Sequence, residues 1–305
     1  MPGRTAPGRT SAARRPASAR ARRYRIAGAG ATAAVVAVVV GFSVAHAMLG
    51  PSRPGRPRDE AAAVRRVAAT WIASQLSRSA VVSCDPVMCA TLRAHGVPAA
   101  SLRTVTPGQG NPLHSTVVVA TAAVRADLGG RLATTDAPGV IATFGRAASR
   151  IEIRAVATHG PAAFHARLRA DLTQRRESGA ELLGSDRIQV TGAARTELAR
   201  GEVDARLLVT LVTLATQRPI EVISFSDAGP GASLSLSPFR AADIAAARTD
   251  RAFASSVLSF VRSQHPPFAA ARARQVRQTG SRTVVRVEFA APSPLGLLNG
   301  SATQP

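Results

Sequence analysis

Cys84 and Cys89, the only cysteines in the 305 residues, stand in the stretch CDPVMC. Ala80 to Cys84 reads as a buried strand, and Asp85-Pro86 supplies an N-cap and a proline at the first position of a following helix. A strand-to-helix corner of this kind can bring two residues five apart within disulfide reach. A bridge is the expectation on the oxidising side of a membrane, and its tiny loop would contribute about 2 kcal/mol at most. The alternative is a redox pair, because a thiol at a helix N-terminus has a lowered pKa. The spacing, however, is CxxxxC rather than the CxxC of thioredoxin-like enzymes. Two cysteines are too few for a multi-cysteine zinc module or an iron–sulfur cluster.

The next candidates are carboxylates. Ile220 to Asp227 reads IEVISFSD and runs into Gly229, Gly231 and Ser233. A buried strand ending in Ser, Asp and Gly is where α/β proteins place ligand groups. Ser226 and Asp227 are therefore candidate ligand-binding residues. The plain structural alternative is a strand exit at which Asp227 and the glycines only shape a turn. His95, His114, His159, His165 and His265 show no HxxxH or HxH spacing, so no metal site is assigned. GxSxG, Walker and SxxK motifs are absent, so no catalytic residue and no cofactor is assigned either.

An apolar helix, the strand IEVISF, a Gly/Ser loop and then Arg240-Ala241-Ala242-Asp243-Ile244 together resemble the core of D-alanyl-D-alanine carboxypeptidase-type zinc peptidases. The likeness covers residues 181–290. That family carries a motif of the form SxHxxGxAxDI and a later His pair on a strand. Ala241, Asp243 and Ile244 match the motif, and the resemblance makes Asp243 a third candidate ligand-binding residue. Leu236 stands at the zinc His position, and Val284–Phe289 contains no His. The resemblance thus implies a scaffold that has lost two of three metal ligands and contacts cell-wall peptide without cleaving it. The chain as a whole is similar in composition and architecture to function-unassigned membrane-anchored proteins of GC-rich bacteria, a likeness that carries no site residues.

The elements that would position these residues lie behind an unusual N-terminus. The chain has 39 basic residues, all Arg, against 18 acidic ones, for a net charge of +21. An Arg-only basic set goes with codons rich in G and C and weakens the case for nucleic acid. Residues 1–25 hold eight Arg, no acid and no apolar periodicity, the signature of a disordered tail. Ile26 to Gly50 carries no charge once His46 is neutral. As a helix this run would be about 37 Å long, enough for a hydrocarbon core of about 30 Å. Pro51, Pro54 and Pro57 then end it. The excess of Arg before the run places the N-terminus inside and residues 51–305 outside. A second reading is a cleaved signal peptide, with Ala45-His46-Ala47 as the cleavage pattern. Both readings export the same domain.

Residues 51–58 read as a stiff linker. Beyond it, strand-like and helix-like stretches alternate: a helix over 60–78, strands at 80–84, 101–105, 116–121, 140–144 and 151–156, and a long helix over 162–183. A strand at 187–190, helices at 193–199 and 206–217, a strand at 220–225, a helix over 241–264 and a strand at 283–289 follow. This order predicts an α/β fold, an extracytoplasmic mixed-sheet domain of one or two lobes (59–160 and 161–290), with a mobile tail over 291–305. Residues 51–305 carry a net +13 but a single aromatic residue larger than Phe, Trp71. Stacking platforms for nucleic acid are scarce. Anionic lipid near the Arg-rich tail, and a cell-wall polymer or another envelope protein outside, are the partners that fit. The reading is a single-pass cell-membrane protein with a non-enzymatic extracytoplasmic domain that serves the envelope in binding or assembly. The alternative is an extracytoplasmic hydrolase of cell-wall material with its acid at Asp227 or Asp243.

Overall fold

A computed structural model describes residues 57–299 apart from 107, 109–110, 248–249 and 278–282. The segments read above as Arg-rich tail, membrane or signal segment, and most of the linker lie outside the described residues, as do residues 300–305. Among the described residues no helix is long and apolar enough to cross a membrane.

The first half contains α1 (Pro57–Gln75), β1 (Val82–Cys84), α2 (Pro86–Ala94), β2 (Leu102–Thr104), β3 (Val117–Ala120), α3 (Ala122–Leu128), β4 (Gly139–Phe144) and β5 (Ile151–Ala155). Its strands form one mixed sheet in the order β2-β1-β3-β5-β4. β2 and β3 run parallel to β1, and β5 is antiparallel to β3 and β4. All four residues of β3 are buried, because both faces of the sheet are covered. Val117 and Val119 share a core with Ala68 and Ile72 of α1 and Met88 and Leu92 of α2. Val118 and Ala120 meet Val124 and Leu128 of α3 on the other side. A strand covered twice needs a continuous apolar run rather than alternation, and VVVA supplies it.

The second half contains α4 (Pro161–Gly184), β6 (Ile188–Val190), α5 (Gly192–Ala199), α6 (Ala205–Gln217), β7 (Ile220–Ser226), β8 (Ala241–Ala246), α7 (Phe253–Arg262), β9 (Arg272–Arg277) and β10 (Thr283–Glu288). The sheet order is β6-β7-β8-β10-β9. β6 and β7 are parallel, and every other pair is antiparallel. Leu182 of α4, Leu198 of α5, Leu207 and Leu211 of α6, and Phe253 and Val257 of α7 pack with Val222, Ile244, Val285 and Val287 in a single core. Removing one of these side chains to the β-carbon costs about 2–5 kcal/mol.

Three expectations are corrected. The helix expected over 241–264 is a strand, β8, followed by a loop and the shorter α7. Ala is a good helix former, but Ala241–Ala246 pairs with β7 on one side and β10 on the other. Small side chains at the centre of a sheet let tertiary pairing override local preference. β9, with three Arg in six residues, has no apolar alternation and lies outside the expected strands. It forms because it is an edge strand, where charged side chains are favoured. Residues 291–299, expected within a mobile tail, are in part tied down. Ala291 is buried, Ser293 Oγ donates to Asp204 Oδ2 at 2.6 Å, and the Gly296 N–H donates to Asp171 Oδ1 at 3.1 Å.

The two sheets are joined by the loop after β7 and by the chain after β10. The Thr143 N–H, on the edge strand β4, donates to the Pro230 carbonyl at 2.7 Å. Gly229 passes so close to β4 that a β-carbon there would fall on the Ile141 carbonyl. Arg175, fully buried in α4, donates to the carbonyls of Gly201 and Ser235 and pairs with Asp171 at 2.8 Å. The Ala291 N–H donates to the Gln75 carbonyl at 2.7 Å, and the Ser77 N–H donates to that of Ala291 at 2.9 Å.

Candidate functional site

The alternation of β7 is broken by a bulge between Val222 and Ser224. Bulges re-aim side chains, and here Ser224 comes opposite Asp243, with Ser226 opposite Ala241. On the next strand Arg286 stands opposite Asp243, and on the edge strand Arg274 stands opposite Arg286. A polar row thus crosses the sheet from β7 to β9.

Arg286 is its hub. Nε donates to Glu288 Oε1 at 2.8 Å, and Nη1 lies 3.3 Å from both carboxylate oxygens of Asp243. Nη2 donates to Ser226 Oγ at 2.7 Å and to Asp227 Oδ2 at 3.0 Å. Ser224 Oγ donates to Asp243 Oδ2 at 3.1 Å. The structure therefore brings Ser226, Asp227 and Asp243 together around one guanidinium. Asp227 reaches it from a left-handed backbone conformation, φ +63°, which Asp tolerates better than most residues. Burial by itself would lower the Arg286 pKa, but the hydrogen bond to Glu288 and the charges of Asp227 and Asp243 outweigh it and the pKa is raised. The guanidinium is held in its charged form. Chemically this is a cross-strand clasp: it fixes β7, β8 and β10 to one another and leaves no donor of Arg286 idle.

Arg240, immediately before β8, is a second arginine that sequence reasoning missed. It is 1% exposed. Its Nε donates to the Asp227 carbonyl at 3.2 Å, Nη2 donates to Gln75 Oε1 at 3.2 Å, and the group lies 5.7 Å from the Trp71 ring centroid. Nη1 has no hydrogen-bond partner among the described residues. Burial pushes its pKa down to about 10, against the pull of Asp204 and Asp227. Arg240 thus ties the backbone of Asp227 to α1 of the other half. The signal for Arg286 and Glu288 is present in TVVRVE: strict alternation puts both on the face opposite Val285 and Val287. Nothing local marks Arg240.

Cys84 and Cys89 are joined in a disulfide with a Cα–Cα distance of 5.4 Å. Both are buried. At this corner Asp85 Oδ1 accepts the N–H groups of Val87 and Met88, while Oδ2 accepts the Thr121 hydroxyl at 2.6 Å. Thr121 caps α3, so the ends of β1 and β3 are tied together. The five histidines after residue 50 stand on different elements: His95 caps α2, His114 ends a short turn before β3, His159 precedes α4, His165 is in α4, and His265 follows α7. Among the described residues no group of three or more His, Cys, Asp or Glu is placed to hold a metal ion.

The described residues form a mixed α/β fold of two five-stranded sheets, one fastened by a disulfide and helix caps, the other by an arginine-centred clasp. No protein-family model, curated protein or solved structure matches the chain.

Proposed function

We propose that the chain is a single-pass cell-membrane protein, N-terminus cytoplasmic, that displays residues 51–305 outside the membrane as a non-enzymatic component of envelope binding or assembly. The observation that carries this reading is the Cys84–Cys89 bridge, since structural disulfides persist in oxidising compartments and are rare in the cytosol. The charge asymmetry around residues 26–50 supports the orientation. The clasp supports the non-enzymatic half of the reading. A general acid or nucleophile must be free to exchange a proton or attack, whereas Asp227 and Asp243 are both engaged by Arg286.

A hydrolase of cell-wall material with its acid at Asp227 or Asp243 is the competing reading, and metal analysis with hydrolysis assays separates the two. The purified chain is analysed for bound zinc and assayed on wall-type peptides with and without added zinc, beside Asp243→Asn. The expected result is no stoichiometric zinc and no hydrolysis that depends on Asp243. Stoichiometric zinc with Asp243-dependent hydrolysis overturns the proposal.

A further inference from the structure

A cleft of about 410 Å³ opens in the first half, between the end of α1, the start of β1 and the loop after α2. That volume falls within the range of small-molecule sites, about 300–1,000 Å³. Its wall is aliphatic, built from Ile72, Leu76, Ala80, Val82, Val97 and Pro98, and contains no aromatic ring. Ile72 and Val82 belong to the core under the first sheet, so the floor of the cleft is the edge of that core. Two polar side chains on the lining, Arg78 and Ser101, make no hydrogen bond or ion pair with another described residue. Arg78 is exposed, at the mouth. The backbone carbonyls where α1 and α2 end are already taken: Ser74 accepts from Arg272, Gln75 from the Ala291 N–H, and Leu92 from the Val97 N–H. Residues 72–101, which supply the whole lining, contain one acid, Asp85. It is buried past the far end of β1, and both its oxygens accept internal hydrogen bonds. Arg78 is therefore the charge that the cleft presents.

An aliphatic wall beside a guanidinium without an internal partner selects a molecule that has both features. Water against such a wall finds few hydrogen bonds, and its displacement by an alkyl chain is favourable. A wall without aromatic rings offers no stacking, so the complementary body is an alkyl chain rather than a ring. The planar fork of Arg matches a carboxylate, and hydrogen bonds in which both partners are charged are the stronger kind. One guanidinium calls for one negative charge. We infer that the cleft binds a small aliphatic monocarboxylate, with its chain against Ile72, Leu76, Val82 and Val97 and its carboxylate at Arg78. This goes beyond the function proposed above and does not depend on which side of a membrane the domain faces.

The test uses the full chain in phosphatidylcholine nanodiscs, titrated with octanoate and, separately, with 1-octanol. Hydrogen exchange is the readout, because it separates binding at the cleft from partition into the lipid. The expected result is slowed exchange in peptides spanning 76–82 and 97–102 on adding octanoate. The alcohol, which has the same chain and no charge, should need roughly tenfold more for the same protection, the equivalent of one charge-assisted hydrogen bond. Arg78→Gln should weaken octanoate about tenfold and leave the alcohol unchanged, whereas Arg78→Lys should keep most of the preference for octanoate. Arg195→Gln, which removes the same charge from α5, should change neither. Ala73→Trp fills the cleft from the exposed side of α1 and should abolish protection by both probes. Ala80→Leu fills it from the floor and should do the same, so the result does not hang on one variant. Absence of protection by millimolar octanoate overturns the inference. So does a preference for octanoate that survives Arg78→Gln, or protection that survives both filling variants.

Discussion

The two halves solve the same problem with different fasteners. In the first, helices cover both faces of the sheet, and the ends of β1 and β3 are tied by a disulfide, by Asp85 and by Thr121. In the second, α4 to α7 build one core on one face, and the polar row on the other is gathered onto Arg286. On that face an arginine engaged through all three of its nitrogens can hold three strands in register. A cluster of Ser, Asp and Arg at a strand exit is therefore not evidence of catalysis until its donors and acceptors have been counted. Arg272 and Arg274, on the edge strand, reach the clasp only through its outermost acid, Glu288, at 3.7 and 3.6 Å.

The comparison can be broken most severely where the halves meet. Gly229→Val would drive a side chain into the Ile141 carbonyl on β4. Backbone has nowhere to go on either side, so a loss of about 3 kcal/mol or more is expected, seen as a drop in thermal midpoint of roughly 6–12 °C at about 2–4 °C per kcal/mol. A shift below about 2 °C would mean the loop does not pack on β4 as described.

Next comes the clasp itself. Arg286→Ala strands Asp227, Asp243 and Glu288 as like charges around an empty space. Removing one member of such a half-buried network costs about 3 kcal/mol, measured by urea unfolding. Because the lost stability comes from uncompensated carboxylates, Arg286→Ala should recover part of it when Asp243→Asn is added. Strict additivity of the two substitutions would show that they do not share a network.

Reduction of the Cys84–Cys89 bridge, or Cys84→Ser/Cys89→Ser, should cost about 2 kcal/mol and leave the hydrogen-exchange protection of β7, β8 and β10 unchanged. Two freely alkylated thiols under non-reducing denaturation would remove the bridge from the account.

Two buried aspartates give opposite pH signatures. Burial opposes ionisation of Asp204, but Arg206 and the hydrogen bonds from Arg206 and Ser293 outweigh it and the pKa is lowered. Its stabilisation is present above the unfolded carboxylate value, about 3.9, and is lost as pH falls through the folded one. Burial raises the pKa of Asp171 against the pull of Arg175. The folded state then binds the proton more tightly, so this contribution is present at low pH and is lost as pH rises through the folded value. Asp204→Asn should therefore flatten the acid limb of stability against pH, and Asp171→Asn should steepen it. Identical limbs in the two variants would contradict the assigned directions.

The smallest effect is at the edge. Arg272→Gln/Arg274→Gln should change stability by no more than about 0.5 kcal/mol. A larger loss would place these residues in the clasp rather than beside it.

Much of this architecture is legible in the sequence, for physical reasons that differ along the chain. VVVA and the DP corner announce a doubly covered strand and a capped helix, because burial on two faces and N-capping have local signatures. The cysteine bridge is legible from the strand-to-helix corner together with the reading that the domain is exported. Ser226 and Asp227 are singled out by the strand exit and Asp243 by the peptidase resemblance, but what gathers them is not. Arg286 lies 43 residues beyond Asp243 and reaches it only through the pairing of β8 with β10. Ala241–Ala246 misleads because alanine's local preference is helical and its strand is fixed by neighbours distant in sequence. Arg240 is invisible because a buried, half-satisfied arginine has no pattern.

The central claim, that residues 51–305 face the outside from a membrane anchor, is tested most directly by protease treatment of intact cells followed by fractionation. The account predicts that the chain sediments with membranes and that its C-terminal part is degraded from outside while the N-terminal tail is protected. A C-terminal part protected in intact cells and cut only after lysis would contradict it.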